Sequence, residues 1–227
     1  MFQPGAVVLS IIFLIVSVPE AFAKTCPKQP MVHVISGDEQ SVTMICEASD
    51  RALSLLAQYE LLPKRQIFIE VINQEIDHLG YKAFGSYDIR KDQIQIMSYN
   101  SIFENYSNPT MYDEQFDCIH YSGAVAHEIT HAVFHQHSTA EAPGPAPQEY
   151  LAHAIQLSSL PENRRKRIIQ THDEPAWMSG DTLSDIYMAL EPGRFAVKSY
   201  KHLTSMNNPK CFIDILLNAK WFYVDIP

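Results

Sequence analysis

Residues 122–134 read Ser122-Gly123-Ala124-Val125-Ala126-His127-Glu128-Ile129-Thr130-His131-Ala132-Val133-Phe134. Small and apolar residues flank two histidines four positions apart, and a glutamate directly follows the first. On a helix, residues four apart share a face, so both imidazoles can reach one metal ion. Glu128 stands where a base must stand to take a proton from water at that ion. The pattern points to a zinc hydrolase, most often a peptidase. Ser122 is read as the cap of this helix.

Outward from that helix the chain divides into two halves. On the N-terminal side, Met31 to Ser36 reads as a short strand, and Glu39 to Leu61 places Val42, Ile45, Leu53 and Leu56 near helical spacing. Gln66 to Asn73 is β-branched and nearly all apolar, which predicts a central strand. Ala83 to Tyr87 and Gln93 to Ser98 form a hairpin across Asp88 to Asp92. In its second arm Ile94 and Ile96 alternate with Gln93 and Gln95, which predicts a half-exposed edge strand able to pair with an extended substrate. On the C-terminal side, residues 140–147 (AEAPGPAP) are a breaker-rich loop, and Pro147 suits the first turn of a helix over Gln148 to Ser158. Further helices are expected over Pro161–Thr171, Asp181–Leu190 and Pro209–Lys220. The fold class is therefore α+β. A small mixed or antiparallel sheet with helices fills the first half, helices fill the second, and the histidine-bearing helix lies between them with the site.

Composition bounds the setting. The chain has 227 residues, 46% of them hydrophobic, which is enough for one packed core. The apolar run from Gly5 to Val18, followed by Ala21-Phe22-Ala23, reads as a secretory signal peptide over residues 1–23 cleaved after Ala23, though its start lacks Lys and Arg. A single domain over residues 24–227 follows, secreted or periplasmic, with no stable membrane insertion after cleavage. All four cysteines fall in that part. Cys26–Cys46 and Cys118–Cys211 is the favoured pairing, because the first bridge closes a local loop. The net charge is −9, and removing Glu20 with the signal segment leaves −8. Such a chain repels nucleic acid and anionic membrane. Arg164-Arg165-Lys166-Arg167 is the only dense basic run and reads as a solvated helix face.

A catalytic zinc takes three protein ligands and leaves one position open. His127 and His131 supply two. His135 lies two turns from His127, about 12 Å along the axis, and cannot share their ion. His137 has the spacing of a third histidine in the metzincin pattern, but Phe134 occupies the position where that pattern needs a glycine. Glu149, at the start of the next helix across the loop, is the stronger third ligand, since an antiparallel return aims it at the pair.

Residues 124–133 resemble the catalytic helix of thermolysin-type gluzincins, and Gln148-Glu149-Tyr150-Leu151-Ala152 resembles the glutamate helix of small members of that group. The resemblance spans Ser122 to Gln156. It implies a zincin-like domain in which one Zn2+ is held by His127, His131 and Glu149, Glu128 acts as general base, and a peptide or protein is the substrate. One turn after Glu149 the chain carries His153, where thermolysin-like proteins carry an aspartate that orients a zinc-bound histidine, so that role stays open. The donor that would stabilise an oxyanion is sought among Tyr150, His153, His172 and Tyr187. The competing expectation is a catalytically silent zincin-like domain that binds zinc and a protein or peptide partner. Of the ten histidines, His120 and His135 read as core or rim residues, and Trp177 as a cleft-lining or packing residue. Asn105-Tyr106-Ser107 matches a glycosylation sequon.

Overall fold

The alternation Val32/Val34, Ile67/Ile69 and Ile94/Ile96 builds the centre of the fold, each of these side chains being at most 2% exposed. The structure is a computed structural model that describes residues 23–78, 81–140, 143–219 and 223–227. The signal-peptide segment, apart from Ala23, lies outside the described residues.

The first half comprises β1 (Ala23–Cys26), β2 (Gln29–Ile35), α1 (Glu39–Ala57), β3 (Ile67–Ile72), β4 (Ile76–His78), β5 (Tyr81–Ala83), β6 (Gly85–Asp88), β7 (Gln93–Met97), α2 (Tyr99–Asn105), β8 (Thr110–Met111) and β9 (Glu114–Gln115). The second comprises α3 (Cys118–His137), α4 (Pro145–Ser159), α5 (Glu162–His172), β10 (Thr182–Ser184), α6 (Asp185–Leu190), α7 (Pro192–Ser205), α8 (Pro209–Asn218) and β11 (Tyr223–Asp225). The class is α+β, as the sequence implies. The sheet has the order β1-β2-β3-β7-β6 and is mixed: β2, β3 and β7 run parallel, while β1 and β6 pair antiparallel at the two margins.

Helix α1 starts at Asp38, whose carboxylate accepts from the Gln40 and Ser41 amides, and it buries Ile45, Ala48, Ala52 and Leu56. It packs against α3, α4 lies against α3, and α7 lies against α4. One apolar core runs continuously from Val32 in the sheet to Leu216 in α8.

Several expectations are corrected. Strand β7 is not an edge, because it is paired on both sides; β6 is the edge next to it. Helix α3 begins a turn earlier than Ser122, at Asp117, whose Oδ1 accepts from the Ile119 and His120 amides, while Ser122 lies within the helix and its hydroxyl accepts from Arg51. Residues 181–190 divide into β10, paired with β11, and the short α6. Helix α7 was not anticipated. The basic run is not simply solvated: Arg164 pairs with Glu114 at 3.2 Å and Asp117 at 2.5 Å, and Arg167 with Glu114 at 3.0 Å.

The bridge Cys26–Cys46 is formed and ties β1 to α1. The second bridge is absent: Cys118 and Cys211 are free and exposed. Ser138, just past the end of α3, meets Leu217 near the end of α8, its Oγ 2.9 Å from the Leu217 carbonyl. Cys118 opens α3, about 28 Å back along the helix axis from that contact, and Cys211, six residues or about 9 Å from Leu217 on α8, cannot close that gap to the ~7 Å Cα separation a disulfide allows. Among the described residues no helix is long and apolar enough to cross a membrane.

Candidate metal centre

Helix α3 buries Val125, Ala126, Ile129, Ala132 and Val133 completely or nearly so, and this fixes which stripe faces the cleft. His127 and His131 lie on that stripe with their Nε2 atoms 3.0 Å apart. Gly144 caps α4, and Pro145 supplies the preset φ of its first turn. One turn on, Glu149 divides its carboxylate between the two rings: Oε2 is 3.2 Å from His127 Nε2, and Oε1 is 3.3 Å from His131 Nε2. Among the described residues these three form the one group of His, Cys, Asp and Glu side chains close enough to hold a metal ion.

The separations decide what fits. Donor atoms about 2.0–2.1 Å from a tetrahedral zinc stand about 3.3 Å from one another. The two nitrogens are 3.0 Å apart and each stands 3.2–3.3 Å from one oxygen of the Glu149 carboxylate, spacings close to that value, and two imidazole nitrogens with a carboxylate are a zinc donor set. The electrostatics agree with a cationic occupant. Burial works against Glu149 ionising, but His131 and His127 outweigh it and hold the carboxyl well below its ordinary range. Burial likewise works against a charged His127, yet the Glu149 carboxylate pushes that ring up to about 9. Without a metal the site is thus a carboxylate paired with a proton on His127, a proton that a cation would displace.

Around the three donors lies a polar shell. His127 Nδ1 is 3.0 Å from Gln156 Oε1, which also accepts from the Tyr112 hydroxyl at 2.6 Å. His153 Nδ1 is 2.9 Å from that hydroxyl, and its Nε2 is 3.5 Å from Glu149 Oε2. Burial, reinforced by the His127 charge, lowers His153 to about 3, so its ring is neutral. The place beside His127 Nδ1 that an orienting group would take is occupied by Gln156, two turns beyond Glu149 on α4, and not by His153.

Glu128 is 7% exposed and points toward the edge strand, where Gly85 lies against its side chain. The cleft beside it has a volume of about 1020 Å³. One wall is β6, through Gly85, Ser86 and Tyr87. The other carries Tyr112, Asp113, His172 and the start of α7. The cleft lies between the two halves of the chain.

The remaining candidates separate cleanly. His137 Nε2 bonds the Leu62 carbonyl at 2.7 Å and turns away from the donors. His135 lines the cleft with its Nε2 2.7 Å from Gln148 Oε1. Tyr150 is fully buried with its hydroxyl 2.8 Å from His202 Nδ1, so it cannot serve an oxyanion. Tyr187 packs on Trp177 and Phe195 and does not line the cleft. Trp177 itself is buried and donates to Ser199 Oγ at 3.1 Å, a packing role. His120 is 0% exposed and stacks on Phe116. His153 and His172 do line the cleft. Tyr112 and Gln156 were missed. Gln156 falls at i+7 from Glu149, on the same helical face, and that spacing is the one signal that could have found it.

A family model described as "Family of unknown function (DUF6639)" matches residues 32–225, a span that includes the sheet from the middle of β2 onward, the donors and the polar shell. No curated protein and no solved structure matches the chain.

Proposed function

We propose that this chain, which belongs to the DUF6639 family, is a zinc-dependent peptidase that acts outside the cytoplasm. The observation that carries the reading is the convergence of His127, His131 and Glu149 at 3.0–3.3 Å with Glu128 on the adjoining helix position and a cleft of about 1020 Å³ alongside. A bound zinc would supply Lewis acidity and a water acidified to a pKa of about 7.

Each protein group then has a task. Glu128, packed between α3 and Gly85, accepts a proton from the attacking water and returns it to the departing amine. Glu149 and the two histidines would hold the ion beside the cleft. His172, on the far wall, is the remaining oxyanion donor that lines the cleft without ranking among the zinc donors or their contacts. Edge strand β6, rather than β7, offers its outer backbone to an extended peptide. An exported setting is supported by the Cys26–Cys46 bridge and by the leader-like residues 1–23.

The test is cleavage of a mixed-sequence peptide library by the purified protein. Cleavage that stops on chelation and returns with zinc supports the reading. A zinc-loaded, folded protein that cleaves nothing in the library overturns it in favour of a zinc-binding module.

A further inference from the structure

The hydrogen bonds around Gln156 constrain where protons sit. A side-chain amide oxygen has two lone pairs and no proton of its own. At Gln156 Oε1 both are taken, by Tyr112 Oη at 2.6 Å and His127 Nδ1 at 3.0 Å. The amide nitrogen faces the other way, 3.1 Å from Met111 Sδ. The phenol therefore donates, and His127 Nδ1 carries a hydrogen and donates too. In the neutral ring that leaves Nε2 bare, aimed at Glu149 and His131, which is the tautomer a metal needs.

Two features show that this arrangement is built in. Gly123 lies one turn before His127 on α3, and a Cβ there would stand 3.1 Å from Leu160 Cδ2 and 3.3 Å from Gln156 Cγ, so the absent side chain lets α4 pack close enough for Gln156 to reach His127. Tyr112 and Asp113 form the two-residue turn between β8 and β9, with φ of +54° and +60°. A bulky tyrosine in the left-handed region is uncommon and persists only where surrounding contacts hold it. Here those contacts are Gln156 and His153 at the tip, and Arg164 and Arg167 on Glu114 at the base.

We propose that Tyr112 and Gln156 are positioning residues that fix the His127 tautomer for the metal, so that the β8–β9 hairpin is a working part of the metal centre. This rests on the zinc site proposed above. Metal occupancy and hairpin order are then coupled, and the coupling runs in both directions.

The experiment is zinc affinity by competition with a chromophoric chelator, using Gln156→Leu, Gln156→Glu, Tyr112→Phe and the Leu/Phe double variant. Thermal melting without metal confirms folding. Gln156→Leu weakens zinc binding by about 10- to 100-fold, and Gln156→Glu, which keeps an acceptor oxygen, restores it to within a few-fold. Tyr112→Phe weakens it by about threefold or more, and the double variant is no worse than Gln156→Leu, because the two act through one chain. In hydrogen exchange, zinc protects the amides of residues 110–115 in the wild type and fails to do so in Gln156→Leu. Should Gln156→Leu not fold, Tyr112→Phe decides alone, since it removes one oxygen atom. Unchanged zinc affinity in folded Tyr112→Phe or Gln156→Leu overturns the positioning chain and leaves the peptidase reading intact. A wild type that binds no zinc overturns both.

Discussion

A methyl group placed on Gly85 would stand 2.7 Å from Cγ of Glu128 and 3.0 Å from its Oε1. The edge strand thus touches the proposed base through a residue with no side chain. Gly85→Ala must displace either the strand or the carboxylate. A misplacement of about 1 Å at a reacting group costs about 100-fold in rate. The expected outcome is a fall in kcat of at least about tenfold with zinc content unchanged, read by steady-state kinetics and metal analysis on one preparation. An unaltered kcat contradicts the packing role.

Replacing Glu128 with Gln keeps the shape and removes the base. Zinc is retained at wild-type stoichiometry, because the three donors lie elsewhere, while turnover falls by about 10²- to 10⁴-fold. Full activity in Glu128→Gln refutes the proton-transfer role.

How much of this was legible in the sequence follows from how local each signal is. His127, Glu128 and His131 sit within one helical turn and were plain. Glu149 could be reached because a breaker-rich loop followed by prolines announces a helix that returns. Tyr112 could not, because its partners Gln156 and His153 lie more than forty residues away and the strands on either side of its turn are two residues long each. The edge strand was misplaced for a similar reason. Alternation shows that one face of β7 is buried, but its two neighbours are set by the parallel join to β3, which connects residues 25 apart. Helix α7 was hidden by Pro192-Gly193, a pair that normally marks a turn and here opens a helix. The pairing of Cys118 with Cys211 failed because parity of cysteines says nothing about distance.

The state of those thiols is directly measurable. In the native, unreduced protein two cysteines react with a thiol reagent, and both are exposed. Reducing the Cys26–Cys46 bridge, whose partners are 20 residues apart, frees a loop whose closure is worth about 3 kcal/mol, and the melting temperature falls by several degrees. No reactive thiol before denaturation means that Cys118 and Cys211 are protected.

The pH dependence carries opposite signs with and without metal. His127 in the folded, metal-free protein is pushed up to about 9, above its ordinary value of 6.5, because the Glu149 carboxylate outweighs burial. Its contribution to stability is complete below about pH 6.5 and is lost as pH rises through about 9. Melts of the chelated protein show this decline, and Glu149→Gln lacks it. Zinc needs the bare ring, so its apparent affinity climbs across the same interval, by about tenfold per pH unit from this one proton. An affinity that stays flat from pH 6.5 to 8.5 contradicts the ion pair.

The most direct measurement is zinc per chain in three purified proteins: the wild type, Glu149→Ala and His137→Ala. The account predicts one zinc in the wild type, one in His137→Ala, whose ring is spent on the Leu62 carbonyl, and loss of most of the metal in Glu149→Ala. A wild type devoid of zinc, or a Glu149→Ala variant that keeps it while His137→Ala loses it, contradicts the proposed centre.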